Sequence, residues 1–256
     1  MRGAAAVIGL LALLLAPLSI ARAGPFSNWA AVVVAGDYHA HSGGPTEAFD
    51  NARRDVSKTL VALGFDKSAI QQLSARPKRY AAEAPGRADA RTLHDTLRTA
   101  ARAANAGCLF YISSHGGPDG ALLGEELLRP HLLAAMLDDA CPNRPSVVVI
   151  SACFSGVFIP PLQKTDRLIL TAARADRASF GCGESDKYPY FDTCFLDAAP
   201  DAHDFAVLGA RVRACVAAKE KETGAEPASE PQLWIGAALR PLLPLYAFER
   251  APPRTP

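Results

Sequence analysis

The chain has 256 residues, with 27 Lys and Arg against 26 Asp and Glu and a formal net charge of +1. The two signs are interspersed, and no basic stripe marks a nucleic-acid-binding face. The length behind an amino-terminal leader suffices for one domain with a substantial core.

Arg2 precedes an apolar run from Ala4 to Leu15, and Ala21-Arg22-Ala23 follows. A basic start, a short apolar core and an Ala-x-Ala exit predict a secretory signal peptide over 1–23. The run is shorter than the ~20 residues of a membrane-spanning helix. No Cys follows the predicted cut, which argues against a lipid anchor. Residues 24–256 are expected to form a single exported domain with no integral membrane segment. The Ala and Arg bias and the 2 methionines point to a GC-rich bacterial source, hence the periplasm.

Six cysteines are present: Cys108, Cys141, Cys153, Cys182, Cys194 and Cys215. Export permits disulfides. If one thiol stays free for chemistry, at most two pairs form and one further Cys is left over. Cys182, Cys194 and Cys215 crowd the last third and are expected to supply a pair. There is no CxxC, and no His stands at ligand spacing, so neither a metal nor another cofactor is expected.

In chain order, Ala30 to Ala35 reads as a buried strand stopped by Gly36-Asp37. A loop holding His39, His41 and Ser42 reaches Gly44. A helix follows, with Pro45 suited to its first turn. Phe49, Ala52, Val56, Leu60 and Leu63 share one face of it, and Gly64 ends it. Ile70 to Leu73 is a weak strand, and Ala75 to Gly86 an exposed loop. A second helix is predicted from Asp89 to Asn105, with Leu93, Leu97, Ala100 and Ala104 on one stripe.

Cys108 to Ile112 is the next strand, ending in Ser113-Ser114-His115-Gly116-Gly117. A turn-rich segment leads to Gly124, then a helix from Pro130 to before Cys141. Ser146 to Ile150 is the strongest strand, ending in Ser151-Ala152-Cys153-Phe154-Ser155-Gly156. Arg167 to Thr171 is a further strand. A long helix from Asp204 to Lys221 turns Phe205, Leu208, Val212 and Cys215 inward. Gly224 to Pro231 is a loop, and Trp234 packs a short tail to the body. Continuous apolar strands alternating with amphipathic helices predict an α/β fold, a mostly parallel sheet with helices on both faces.

In such sheets ligands bind outside the carboxyl ends of the strands. Two strands here end in glycine-rich turns, one delivering His115 and the other Cys153. If those strands are neighbours, both side chains emerge at one edge. An imidazole beside a thiol promotes the reactive thiolate. The Gly116 and Cys153 N–H groups then suit an oxyanion hole.

These residues resemble the caspase-like cysteine peptidases, and within them the legumain (asparaginyl endopeptidase) family. The likeness lies in Ser114-His115-Gly116 and Ala152-Cys153-Phe154-Ser155-Gly156. It continues through Thr171-Ala172-Ala173, Ser179-Phe180-Gly181-Cys182 and Tyr190-Phe191-Asp192, and begins at Val32 to Gly36. The resemblance implies a caspase-like fold and a Cys153–His115 dyad acting through a thioester. It also implies a peptide or protein substrate cut after Asn or Asp. Ser179 and Asp192 match pocket residues of the family. Ser151 stands where the family has an acidic group, and the loop before Pro45 lacks the family's Arg. Asp192 equally suits a helix N-cap. His41 is a candidate substrate or dyad-supporting residue, and Asp37 reads as a turn residue.

A transpeptidase or transamidase would use the same acyl-enzyme, and no residue separates it from a hydrolase. A catalytically silent peptide-binding protein on the same scaffold is a third alternative. In a purely structural, disulfide-stapled protein, Cys153 would be paired. The oligomeric state is not legible.

Overall fold

The computed structural model describes residues 24–249. The predicted signal peptide lies outside the described residues. No described helix is long and apolar enough to cross a membrane.

Seven strands form one sheet in the order β10-β9-β8-β4-β1-β2-β3. They are β1 (Trp29–Ala35), β2 (Ile70–Ser74), β3 (Gly86–Arg87), β4 (Gly107–Ser113), β8 (Ser146–Ser151), β9 (Arg167–Thr171) and β10 (Gln232–Ile235). All neighbours run parallel except β10, which lies antiparallel to β9. Successive side chains of a strand alternate faces, and the apolar residues divide accordingly. Val32, Val34, Phe110, Ile112, Val148 and Ile150 face one core, with Leu93 and Leu97 of α2 (Ala90–Ala103) and Leu133 and Leu137 of α3 (Pro130–Ala140). Val33, Leu109, Tyr111, Val147 and Val149 face the other. That second core takes Val56 and Leu60 of α1 (Ala48–Ala62), Phe195 of α5 (Tyr190–Ala198) and Leu208 and Val212 of α6 (Phe205–Thr223). Each such side chain contributes about 1.5–3 kcal/mol on full burial, so the doubly covered strands are the stable frame. A fourth, short helix, α4, spans Ile159–Leu162.

The central strands and long helices agree with their sequence reading to within one or two residues. Elsewhere the structure differs. Pro45 is outside the first helix, which starts at Ala48. It lies on the returning arm of a closed loop, in a backbone bridge with His39. The turn-rich segment after His115 is a second sheet of β5 (Gly116–Gly117), β6 (Gly120–Leu123) and β7 (Glu126–Leu128). The 75–86 loop is not wholly exposed, because Tyr80 is buried within it. The tail adds β10, pairing Trp234 with Ile169, and α5 is an element the sequence reading lacked.

Disulfides join Cys108 to Cys141 and Cys194 to Cys215. The first ties the start of β4 to the end of α3, and the second ties α5 to α6. Closing loops of 33 and 21 residues removes roughly 3–4 kcal/mol each of chain entropy from the unfolded state. Cys153 and Cys182 are free. Sequence crowding thus misleads for Cys182, because α5 carries Cys194 against α6 and leaves Cys182 in the preceding loop.

Candidate active site

Strands β4 and β8 are direct neighbours, with Ser113 facing Ser151 in register. His115 and Cys153 each lie two residues beyond that pair and so leave the sheet at one edge. The turns are packed backbone to backbone. Ser114 N–H donates to Ser151 O at 3.0 Å. A Cβ on Gly116 would fall 2.3 Å from Cys153 O, so only glycine permits this approach.

The His115 ring is fixed from one side. Its Nε2 is 2.9 Å from the carbonyl oxygen of His39. A carbonyl only accepts, so Nε2 carries the proton and Nδ1 is the basic nitrogen of the neutral ring. The edge of Phe49 packs against the imidazole, with centroids 5.1 Å apart.

The His39 carbonyl is itself held by Asp37. The Asp37 carboxylate accepts from Tyr38 N–H at 2.6 Å, His39 N–H at 3.2 Å and the His39 ring Nδ1 at 2.8 Å. Asp37 is buried. Bonds from Ala40 N–H to Gly44 O and Thr46 N–H to Tyr38 O close the loop. Asp37 is thus more than the turn residue its sequence position suggests, and His39 supplies the acceptor for His115. The available signal was an Asp directly after a buried strand, two residues before a His.

Cys153 is half-buried and unpaired. Its sulfur accepts from Ser179 N–H at 3.2 Å and lies 3.6 Å from the Ser179 hydroxyl. The Ser179 carbonyl oxygen also lies 3.5 Å from the sulfur, so the Ser179 backbone brackets Cys153. Phe154 follows with φ 57° and ψ 15°, a left-handed conformation uncommon outside glycine. Its N–H donates to Arg177 O at 2.7 Å. Ser155 Oγ accepts from Ala173 N–H at 3.0 Å. The Cys153 turn is therefore clamped to the loop after β9. Among the described residues no direct hydrogen bond joins His115 to Cys153, and such bonds often tighten only with substrate in place.

The other candidate residues divide in two. Ser179 is at the sulfur, and exposed His41 stands with its ring centroid 6.4 Å from that of His115. Ser151 and Asp192 are instead buried, Asp192 completely. Asp192 does not cap α5, whose N-cap is Pro189. It sits in the first turn and accepts from the hydroxyls of Tyr111, Ser113 and Ser151. Burial pushes its carboxyl up to about 6, against the lowering effect of those three bonds. Cys182 lies three residues beyond Ser179. Burial first, then the neighbouring Cys153 and Asp186, pushes its thiol up to about 11. Among the described residues no group of three or more His, Cys, Asp or Glu is gathered as a metal-ligand set.

A doubly covered parallel sheet with an antiparallel edge strand, carrying a free Cys and a His at adjoining strand ends, is the architecture of the caspase-like cysteine peptidases. The crystal structure of Caspase-1 from Spodoptera frugiperda matches with a TM-score of 0.59 at 15% identity, covering 83% of this chain and 88% of that chain. At that identity the likeness speaks for the fold. The model of the Peptidase C13 family, the legumain family, matches residues 86–228, more than half of the chain. The chain belongs to that family and is a cysteine-type peptidase. No curated protein sequence matches it. The matched span includes His115, Cys153, Ser179 and Asp192 but begins after Asp37 and His39.

Proposed function

We propose that the chain is an exported endopeptidase in which Cys153 is the nucleophile and His115 the general base and acid. The observation that carries this reading is the pair of adjoining strand ends in a Peptidase C13 member. One end presents a free thiol that receives an N–H bond, and the other an imidazole with Nε2 already engaged.

Cys153 passes its thiol proton to His115 Nδ1, and the resulting thiolate attacks the scissile carbonyl carbon. The carbonyl electrons move to oxygen, which Gly116 N–H and Cys153 N–H stabilise. One such donor is worth about 10²–10³ in rate. His115 protonates the leaving amine as the C–N bond breaks. Water then attacks the thioester, gives a proton to His115, and releases the acid product and the thiol.

Asn is proposed at the scissile bond in preference to Asp. An ionised Asp side chain would require a cation, and loop residues 37–46 contain neither Lys nor Arg. The nearby Arg174 is bonded to Asp176 and Glu230, and Arg177 shares Asp176 through Nη1, its buried Nε lacking a partner among the described residues. Ser179 and His41 are the proposed substrate-side polar groups. The predicted leader and the two disulfides support export to an oxidising compartment.

Peptidyl thiol-reactive probes carrying Asn, Asp, Arg or Ala beside the warhead test the reading, with the label mapped by mass spectrometry. Labelling is expected at Cys153, fastest for Asn, and lost in His115→Ala. Slow, equal labelling of Cys153 and Cys182 that ignores His115 would refute the dyad.

A further inference from the structure

Directly beneath the two reactive turns lies a polar layer that the proposed reaction does not use. Asp192 is fully buried in the first turn of α5. Its Oδ1 accepts from Tyr111 OH at 2.5 Å, and its Oδ2 from Ser113 Oγ at 2.9 Å and Ser151 Oγ at 2.7 Å. Tyr111 and Ser113 belong to β4, and Ser151 to β8. Ser113 and Ser151 are register partners. Each stands two residues before a reactive side chain, Ser113 before His115 and Ser151 before Cys153.

One carboxylate thus bonds to both strands at the last point where they remain paired. The helix that carries it is tied by Cys194–Cys215 to α6. A carboxylate without water is costly to bury unless its oxygens are satisfied. Here three hydroxyl donors meet that requirement. Those same bonds leave the carboxylate no exposed surface to offer a substrate.

We propose that Asp192 is a positioning residue that locks the ends of β4 and β8 together, setting His115 relative to Cys153, and that it makes no contact with the substrate side chain. This rests on the Cys153–His115 reading above. A misplacement of about 1 Å at reacting atoms can cost on the order of 10²-fold in rate, so the lock is expected to act on the chemical step.

The test is the limiting inactivation rate and half-saturating concentration of the Asn, Asp and Ala probes. It compares the wild-type chain with Asp192→Asn, Asp192→Ala and the Ser113→Ala/Ser151→Ala double variant. Positioning predicts a limiting rate about 10- to 100-fold lower in Asp192→Ala. The factor is the same for every probe, and half-saturation stays within about twofold. Asp192→Asn loses less, because its amide oxygen still accepts. The double variant, which leaves the carboxylate to Tyr111 alone, falls in the same uniform way and carries the test if Asp192→Ala does not fold. Weaker half-saturation confined to one probe class would make Asp192 a pocket residue and overturn the proposal. So would an unchanged limiting rate in the folded variants. His115→Ala is measured alongside. Persistent labelling there removes the dyad, a result separable from the rate and half-saturation pattern of the Asp192 variants.

Discussion

Replacing Asp37 with Ala removes the acceptor that holds the His39 carbonyl, and with it the anchor of the His115 ring. Three donors lose their partner at once: two backbone N–H groups and the His39 ring. A hydrogen bond to a charged group contributes about 1.5–3 kcal/mol. If the loop forfeits only one such increment of order, the populated fraction of correctly oriented His115 falls roughly 10- to 150-fold, at 1.36 kcal/mol per decade. The loss belongs in the limiting labelling rate of an Asn probe, with half-saturation little changed, since Asp37 is buried away from the substrate. Asp37→Asn retains a side-chain oxygen for the two backbone donors and is expected to keep most of the rate. Stopped-time mass spectrometry of Cys153 labelling, with thermal unfolding as a fold check, reads both variants. An Asp37→Ala rate within twofold of wild type would refute the carbonyl-anchor argument. An Asp37→Asn rate as low as that of Ala would refute its geometric basis.

Alkylation of the native chain near neutral pH should find two free thiols, with Cys153 modified well before Cys182, whose thiol is pushed up to about 11. Peptide mapping checks the order. Gly116→Ala should reduce labelling at least about 100-fold, because the added Cβ would fall 2.3 Å from Cys153 O and forces the turns apart. The raised Asp192 carboxyl predicts a stability slope. Its folded value of about 6 lies above the ordinary carboxyl value of 3.8. The protonated form therefore favours the fold, and stability is lost as pH rises from about 4 through about 6. At 1.36 kcal/mol per unit this amounts to about 3 kcal/mol, and Asp192→Asn should lack that component in urea unfolding across the same range.

Strands β1, β4, β8 and β9 were legible because both of their faces are covered, which leaves continuous apolar runs in the sequence. The two reactive turns were legible for a related reason. Glycines and polar residues end those runs abruptly. The strands β5 to β7 carry no such signal, since segments of two to four residues are defined by pairing rather than by periodicity. In α5 the signal was present, with Phe191, Cys194, Phe195 and Ala198 at helical spacing, but the segment read first as motif. The Cys108–Cys141 pair depends on β4 and α3 meeting across the sheet layer, which residue spacing does not encode. The His39 anchor is a backbone carbonyl and has no residue identity at all. Ser151 and Asp192 read as substrate-pocket positions by resemblance, whereas both are buried, with α5 closing Asp192 over the ends of β4 and β8.

The two disulfides and the two free thiols divide the chain's sulfur into separate compartments. Both sulfurs of Cys108–Cys141 belong to buried residues, whereas Cys153, Cys182 and the Cys215 half of the second disulfide are only partly covered. Thiol–disulfide exchange requires an attacking thiolate to reach sulfur. A small reductant therefore meets Cys153 before it meets the buried Cys108–Cys141 staple between β4 and α3. Cys153 can be kept reduced while the Cys108–Cys141 cross-link persists, and the interval between those two events sets the usable range of reductant in any assay.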